Sequence, residues 1–143
     1  MAKPLISDIL KNVNKLGSRD ERIAYLKEHD CTALRDILRI ALDESVILDL
    51  PEGTPPYKKY DLEAKQAEEF RPLRFEYPKF GNFVQAVTPK LNKFKREQLF
   101  IEMLQRSHPD EAELLCNAKD KNLSYKYVTK AIVKAAFPDL IRK

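Results

Sequence analysis

The residues in this 143-residue chain whose types suit metal or covalent chemistry are His29, Cys31, His108 and Cys116. Brought together, two imidazoles and two thiolates would make a tetrahedral zinc site, since those are the donors zinc prefers. The spacing argues against it: there is no Cys-x-x-Cys or His-x-x-x-His pair, and only His29 and Cys31 are close in sequence. A nucleophilic thiol would need a neighbouring base or cation to lower its pKa, and neither cysteine has that local context. Two distant cysteines fit reduced, packed thiols of an intracellular protein better than a disulfide framework, although the spacing leaves a bridge between them open. Carboxylate pairs such as Glu68/Glu69 and Asp43/Glu44 fall on expected exposed faces, and no glycine-rich phosphate loop is present. The expectation is a chain with no catalytic group, no metal and no cofactor.

Holding an anion is a different matter. The net charge is +4, but it is concentrated: residues 58 to 96 carry 10 Lys/Arg against 5 Asp/Glu, and residues 119 to 143 carry 7 against 2. Lys126, Lys130 and Lys134 recur at four-residue steps on an expected last helix, with Val128, Ala131, Ile132 and Ala135 opposite them. Lys119 and Lys121 would extend that row, and Lys93, Lys95 and Arg96 form a second cluster. Such rows either contact phosphates, releasing condensed counterions and making affinity steeply salt-dependent, or are ordinary solvated faces. Tyr57, Tyr60, Phe75, Tyr77 and Phe80 are interleaved with the cations, suited to stacking on bases or to core packing.

The elements that must position these groups are helical. Only 3 glycines are present, too few for the turns of a β-sandwich. Ser7 is placed to cap a first helix carrying Ile6, Ile9, Leu10, Val13 and Leu16, with Gly17 where a left-handed stop would fall. Ser18 and Glu21 form a capping box for a second helix over about 19 to 29. Thr32 opens a third, with Leu34, Ile37, Leu38, Ala41 and Leu42 on one side, ending near Val46 to Leu48. The Leu50–Tyr57 stretch holds three prolines and a glycine and should cross the surface extended. Asp61 to Phe70 suits a short helix, 71 to 80 fits extended or helical backbone, and Asn82 to Val87 a further turn or two. A helix over Leu91 to Arg106 takes Phe94, Leu99, Phe100, Met103 and Leu104 as its apolar side, and Pro109 starts the next with Asp110 and Glu111 at its positive end. A last helix runs from after Ser124 to about Ala136. The expected architecture is one all-α domain spanning 1 to 143, a bundle of about six to seven helices with an irregular or partly helical insert over 51 to 90. There is no run of about eighteen apolar residues, and Met1-Ala-Lys-Pro-Leu lacks the apolar centre of a secretion signal, so no membrane association is expected.

Leu16-Gly17-Ser18 with Glu21, the Leu34–Leu42 helix and the terminal Ala136-Phe-Pro-Asp-Leu-Ile141 occur in the order found in the helical N-terminal DNA-binding domain of ATP-dependent DNA ligases, which the chain resembles over residues 5 to 48 and 91 to 141. Lys59-Tyr60-Asp61 matches the start of the ligase nucleotidyl-acceptor motif, but Leu62 stands where that motif has glycine, and the match is by chance. Through Leu50–Tyr57 and Lys95-Arg-Glu-Gln-Leu-Phe-Ile101 the chain is similar, more closely, to small proteins of large tailed phages of the myovirus type. The resemblances imply a non-enzymatic phage product in the cytoplasm of an infected bacterium, binding duplex DNA through its backbone. The rival expectation is a module that binds a host or phage protein, or a minor virion component, through segments 50–60 and 70–83.

Overall fold

The computed structural model describes residues 4–64 and 69–142, and among these every regular element is helical. Seven α-helices follow in order: α1 Ile6–Lys15, α2 Arg19–Glu28, α3 Thr32–Leu42, α4 Leu73–Glu76, α5 Lys93–Arg106, α6 Pro109–Lys119 and α7 Lys130–Ala136. A 3-10 segment, Tyr77–Phe83, continues directly from α4. No helix among the described residues is long and apolar enough to cross a membrane.

Helix α6 is central. It packs on α1, α3 and α5, and Ala112, Leu114, Leu115, Cys116 and Ala118 are all buried, leaving only a narrow solvent side along Asp110, Glu113 and Asn117. Helix α3 contributes Leu34, Ile37, Leu38 and Ala41 at the three- and four-residue steps expected of one apolar stripe. Helix α7 lies on α2, and the Phe137–Ile141 end runs back along α3, where the Arg39 Nε donates to the Leu140 carbonyl at 3.2 Å. Apolar residues from all seven helices join one core.

Local signals placed several of these ends. The Glu21 amide donates to Ser18 Oγ at 3.2 Å, opening α2, although Glu21 accepts from the Ser18 hydroxyl rather than from its amide. Pro109 begins α6. Other ends differ. Helix α1 starts at Ile6 with no side-chain cap from Ser7, which is itself buried, and the chain leaves it through an extended Leu16 (φ −70°, ψ 149°), so Gly17 needs no left-handed backbone. Helix α3 stops at Leu42, earlier than expected, because buried Asp43 turns the chain: its Oδ1 accepts from the Ser45 amide at 2.9 Å and its Oδ2 from the Arg142 amide at 2.9 Å.

The 49–57 stretch does cross the surface, and it is pinned. The buried Lys119 Nζ donates to the carbonyls of Pro51 at 2.7 Å and Gly53 at 2.9 Å, while Asp120 accepts from the Gly53 amide at 3.1 Å. Gly53 has φ +88°, a conformation that a side chain would strain. In the expected 61–70 helix, Lys65 to Glu68 lie outside the described residues; Asp61 to Ala64 form a turn in which Asp61 Oδ1 accepts from the Glu63 and Ala64 amides. Leu73 to Phe83 is helical rather than extended, and beyond Phe83 the chain only turns.

Helix α6 ends in a Schellman arrangement: the Asn122 amide donates to the Asn117 carbonyl and Lys121 to Ala118. Lys121 occupies the left-handed position, φ +57°, where glycine is usual. The reason is its side chain, whose Nζ donates to Ile40 O, Asp43 O and Val46 O at 2.6, 2.9 and 2.6 Å, satisfying the free carbonyls at the end of α3. Partial burial lowers the lysine pKa, with nearby Asp43 and Glu44 opposing the shift. Lys121→Ala should cost about 2 kcal/mol, the scale of hydrogen bonds from a charged donor. Lys121→Gly should cost about 1 kcal/mol less, because it relieves the left-handed backbone. Urea unfolding of the two variants measures that difference; equal losses would mean that the backbone position carries no strain.

Candidate nucleic-acid interface

The basic residues singled out by sequence divide sharply. Arg96, Lys119 and Lys121 are structural groups, not surface contacts. Arg96 is 1% exposed. Its guanidinium donates to the carbonyls of Asn82 at 3.0 Å, Thr88 at 2.7 Å and Leu91 at 3.1 Å, and to Asp49 Oδ2 at 2.5 Å. Lys119 and Lys121 are engaged by the carbonyls described above. The two ammonium groups spend all three of their N–H donors on the fold, and the Arg96 guanidinium is too deeply buried to reach a phosphate.

The row of Lys126, Lys130 and Lys134 is also broken. Helix α7 begins only at Lys130, where Thr129 Oγ1 accepts from the Ile132 amide at 3.3 Å, so Lys126 precedes the helix. The Tyr127 amide donates to Asn14 Oδ1 at 2.8 Å, holding that stretch against α1 in a non-helical course. The side of α7 that packs inward carries Ile132, Val133 and Ala136, whereas Ala131 is exposed. Lys126 and Lys134 are exposed, and Lys130 is half-buried.

Nor do the two clusters adjoin. Tyr125 lies beside Lys11 and Asp110, at the start of α6, while Glu97, Phe100 and Ile101 share a groove with Lys119 at its other end. Helix α5 packs on α6 and the 3-10 segment, whereas α7 packs on α2.

What remains together is the start of α5. Asn92 caps this helix, its Oδ1 accepting from the Lys95 amide at 2.8 Å. The first turn then holds Lys93, Phe94, Lys95 and Arg96 and no acidic residue. Helices α1, α2 and α6 instead place Asp8, Asp20 with Glu21, and Asp110 with Glu111 in their first turns. Carboxylates there suit the positive helix end, and lysines oppose it at about 0.3–1 kcal/mol each. The whole span 77–96 contains no Asp or Glu. Lys90, Lys93 and Lys95 are exposed, and among the described residues none forms an ion pair. Phe94, assigned by sequence to the apolar side, stands between them and is 70% exposed. Lys90 was missed by sequence reasoning; its signal is its place two residues before a helix cap in an acid-free span.

The remaining candidates have other occupations. His108 Nδ1 accepts from the Asp110 amide at 3.1 Å and its ring meets Phe70, and His29 packs on Tyr25. Cys31 and Cys116 are both free thiols, and burial pushes the Cys116 thiol up. Among the described residues, no three His, Cys, Asp or Glu are grouped to hold a metal ion. Of the aromatics, Phe80 is buried, Tyr57, Tyr60 and Tyr77 are half-buried, and Phe75 is 70% exposed. A cleft of about 520 Å³ between α3 and the C-terminal end has Arg35, Arg39 and Lys27 facing Asp30, Asp36 and Asp139, so its charges oppose one another.

A family model described as a family of unknown function, DUF6433, matches residues 9–125. The chain belongs to this family. The DUF6433 match contains the 49–57 crossing, the first turn of α5 and all of α6; Lys126, Lys130 and Lys134 lie beyond it. No curated protein and no solved structure matches the chain.

Proposed function

We propose that this DUF6433 member is a non-catalytic module that attaches to duplex nucleic acid through the phosphate backbone, with Lys90, Lys93 and Lys95 as its principal contacts. The observation that carries this reading is the exposed basic cluster at the start of α5, where Lys90, Lys93 and Lys95 stand in an acid-free span; α1, α2 and α6 carry carboxylates in their first turns, while α3 and α7, like α5, carry none. A fold gives up stability for such an arrangement where it serves a ligand. A phosphate would be attracted both by the lysines and by the helix end. Lys126 and Lys134 are a secondary surface on this reading, on a part of the fold that packs on α2 rather than on α5. The resemblance to the ligase DNA-binding domain and to tailed-phage proteins agrees with it and would put the protein in the cytoplasm of an infected bacterium.

Replacing Lys90, Lys93 and Lys95 together by glutamate should lower affinity for a labelled duplex about a hundredfold at low salt, and should reduce the slope of log affinity against log salt by about 3, one for each phosphate no longer neutralised. The three side chains are exposed, so the fold should remain intact, which circular dichroism would check. Unchanged affinity and slope would overturn the reading. The 70% exposure of Phe75 favours a second one, a protein partner engaged through 70–83. Capture from infected cells with and without nuclease separates the two, because only a nucleic-acid-borne partner set disappears on digestion.

A further inference from the structure

We infer that Phe94 is a stacking platform for an unpaired nucleobase, so that the nucleic acid held at the first turn of α5 is a single-stranded stretch adjoining duplex rather than uninterrupted duplex. The inference rests on the phosphate-contact reading above and narrows it. Folding gives no reason for this ring. Phe94 is 70% exposed, belongs to none of the aromatic pairs and lies outside the core, although burying a phenylalanine would contribute about 2 kcal/mol. At 100° per residue it points roughly 135° away from the mean direction of Arg96, Phe100, Met103 and Leu104. It cannot reach their core without turning the helix.

Its flanks decide what it suits. Lys93 and Lys95 stand on either side of it, Lys90 is in the preceding turn, and the acid-free span 77–96 supplies no counter-charge beyond the helix. A protein partner would have to desolvate three lysines around one ring, and lysine is depleted in protein interfaces. A strand of nucleic acid presents phosphates at the spacing of its bases, so one strand can serve lysines and ring together. In intact duplex the base faces are already stacked on one another, leaving the ring nothing to cover. The turn of helix that carries the ring is anchored, because Arg96, two residues on, is locked by Asp49 and three carbonyls.

The test compares fluorescence anisotropy of a blunt duplex, the same duplex with a single-stranded overhang, and the free strand. The unaltered protein should prefer the overhang to the blunt duplex. Phe94→Ala and Phe94→Leu should each weaken overhang and free-strand binding about tenfold to a hundredfold, the worth of one stacked base, with the salt slope unchanged. Phe94→Trp should retain binding, and blunt-duplex affinity should not move. The proposal is overturned if Phe94→Leu binds the overhang as well as the unaltered protein does, or if all three probes weaken equally. It is also overturned if anionic phosphatidylserine vesicles, and not oligonucleotides, show the Phe94 dependence. If the lysine contacts hold but Phe94 is inert, only this inference fails; if no probe binds at all, the phosphate-contact reading fails with it.

Discussion

Glu111→Ala is expected to destabilise the fold by about 4 kcal/mol, the sum of two buried amides left without an acceptor at roughly 2 kcal/mol each. The carboxylate is fully buried, and it serves two helix starts distant in sequence: Oε2 accepts from the Ile6 amide at 2.9 Å and Oε1 from the Leu73 amide at 3.0 Å. Glu111 itself lies in the first turn of α6, so the starts of α1, α4 and α6 converge on one negative group. Glu111→Gln should lose about 2 kcal/mol, because its amide nitrogen must face one of those N–H donors. The pH dependence has a definite sign. Burial pushes the Glu111 pKa up, against the two amide hydrogen bonds, so the folded state binds this proton more tightly than the unfolded chain does. Its contribution is full below the ordinary carboxylate value and is lost as pH rises through the raised one. Denaturant midpoints across that window should fall with pH in the unaltered protein, and Glu111→Gln should flatten the fall; an identical slope in both would show that Glu111 does not titrate there.

Asp110, the adjacent residue, has the opposite sign. Its hydrogen bond and attraction to Lys11 at 2.6 Å lower its pKa, so its contribution is present above the ordinary aspartate value and lost as pH falls through the depressed one. Both partners are about two-fifths exposed, and solvent screening keeps that contribution small.

The sequence was a good guide wherever a local interaction decides the outcome. A serine with a glutamate three residues later, a proline after a histidine, and a proline cluster each act on the backbone within a few residues, which is why α2, α6 and the 49–57 crossing are where the pattern puts them. Residues whose role depends on distant partners gave no such signal. Charge type alone puts Arg96, Lys119 and Glu111 on the surface and leaves the exposed Lys121 available, yet each of the four is held by groups 5 to 105 positions away along the chain, apart from contacts to immediate neighbours. Helix α5 shows the two errors as one. Arg96 is in phase with Phe100 and Met103 and takes a core position, whereas Phe94 is out of phase and is left outside; residue type misled where the period would not have. Helix α7 is shorter than its pattern because Tyr127 is tied to Asn14 before Thr129 can cap. The site was therefore legible as a cluster, Lys93 to Arg96, but not in which of its members face outward.

Arg96→Ala should cost about 4 kcal/mol, because removing the buried guanidinium leaves several acceptors unpaired at about 1–3 kcal/mol each. The acceptors are Asp49 and the carbonyls of Asn82, Thr88 and Leu91. Arg96→Lys should recover less than half of that loss. An ammonium is a single point with three donors, and it cannot reproduce the planar fork that reaches four acceptors on three segments. Asp49→Asn is expected to be milder, since the Asp49 side chain is 35% exposed and water can replace part of what it gives up, while the three carbonyl contacts stay. The same guanidinium bears on binding. It is what fastens residues 82 to 91 to the first turn of α5, so Lys90 and Phe94 keep a fixed relation only while it is in place. Arg96→Lys, assayed where it is still fully folded, should therefore speed amide exchange over 84–92 and weaken overhang binding, while leaving exchange in α1 and α2 as it was. If exchange accelerates evenly through the whole chain, Arg96 supports the bundle at large and does not organise the basic turn in particular.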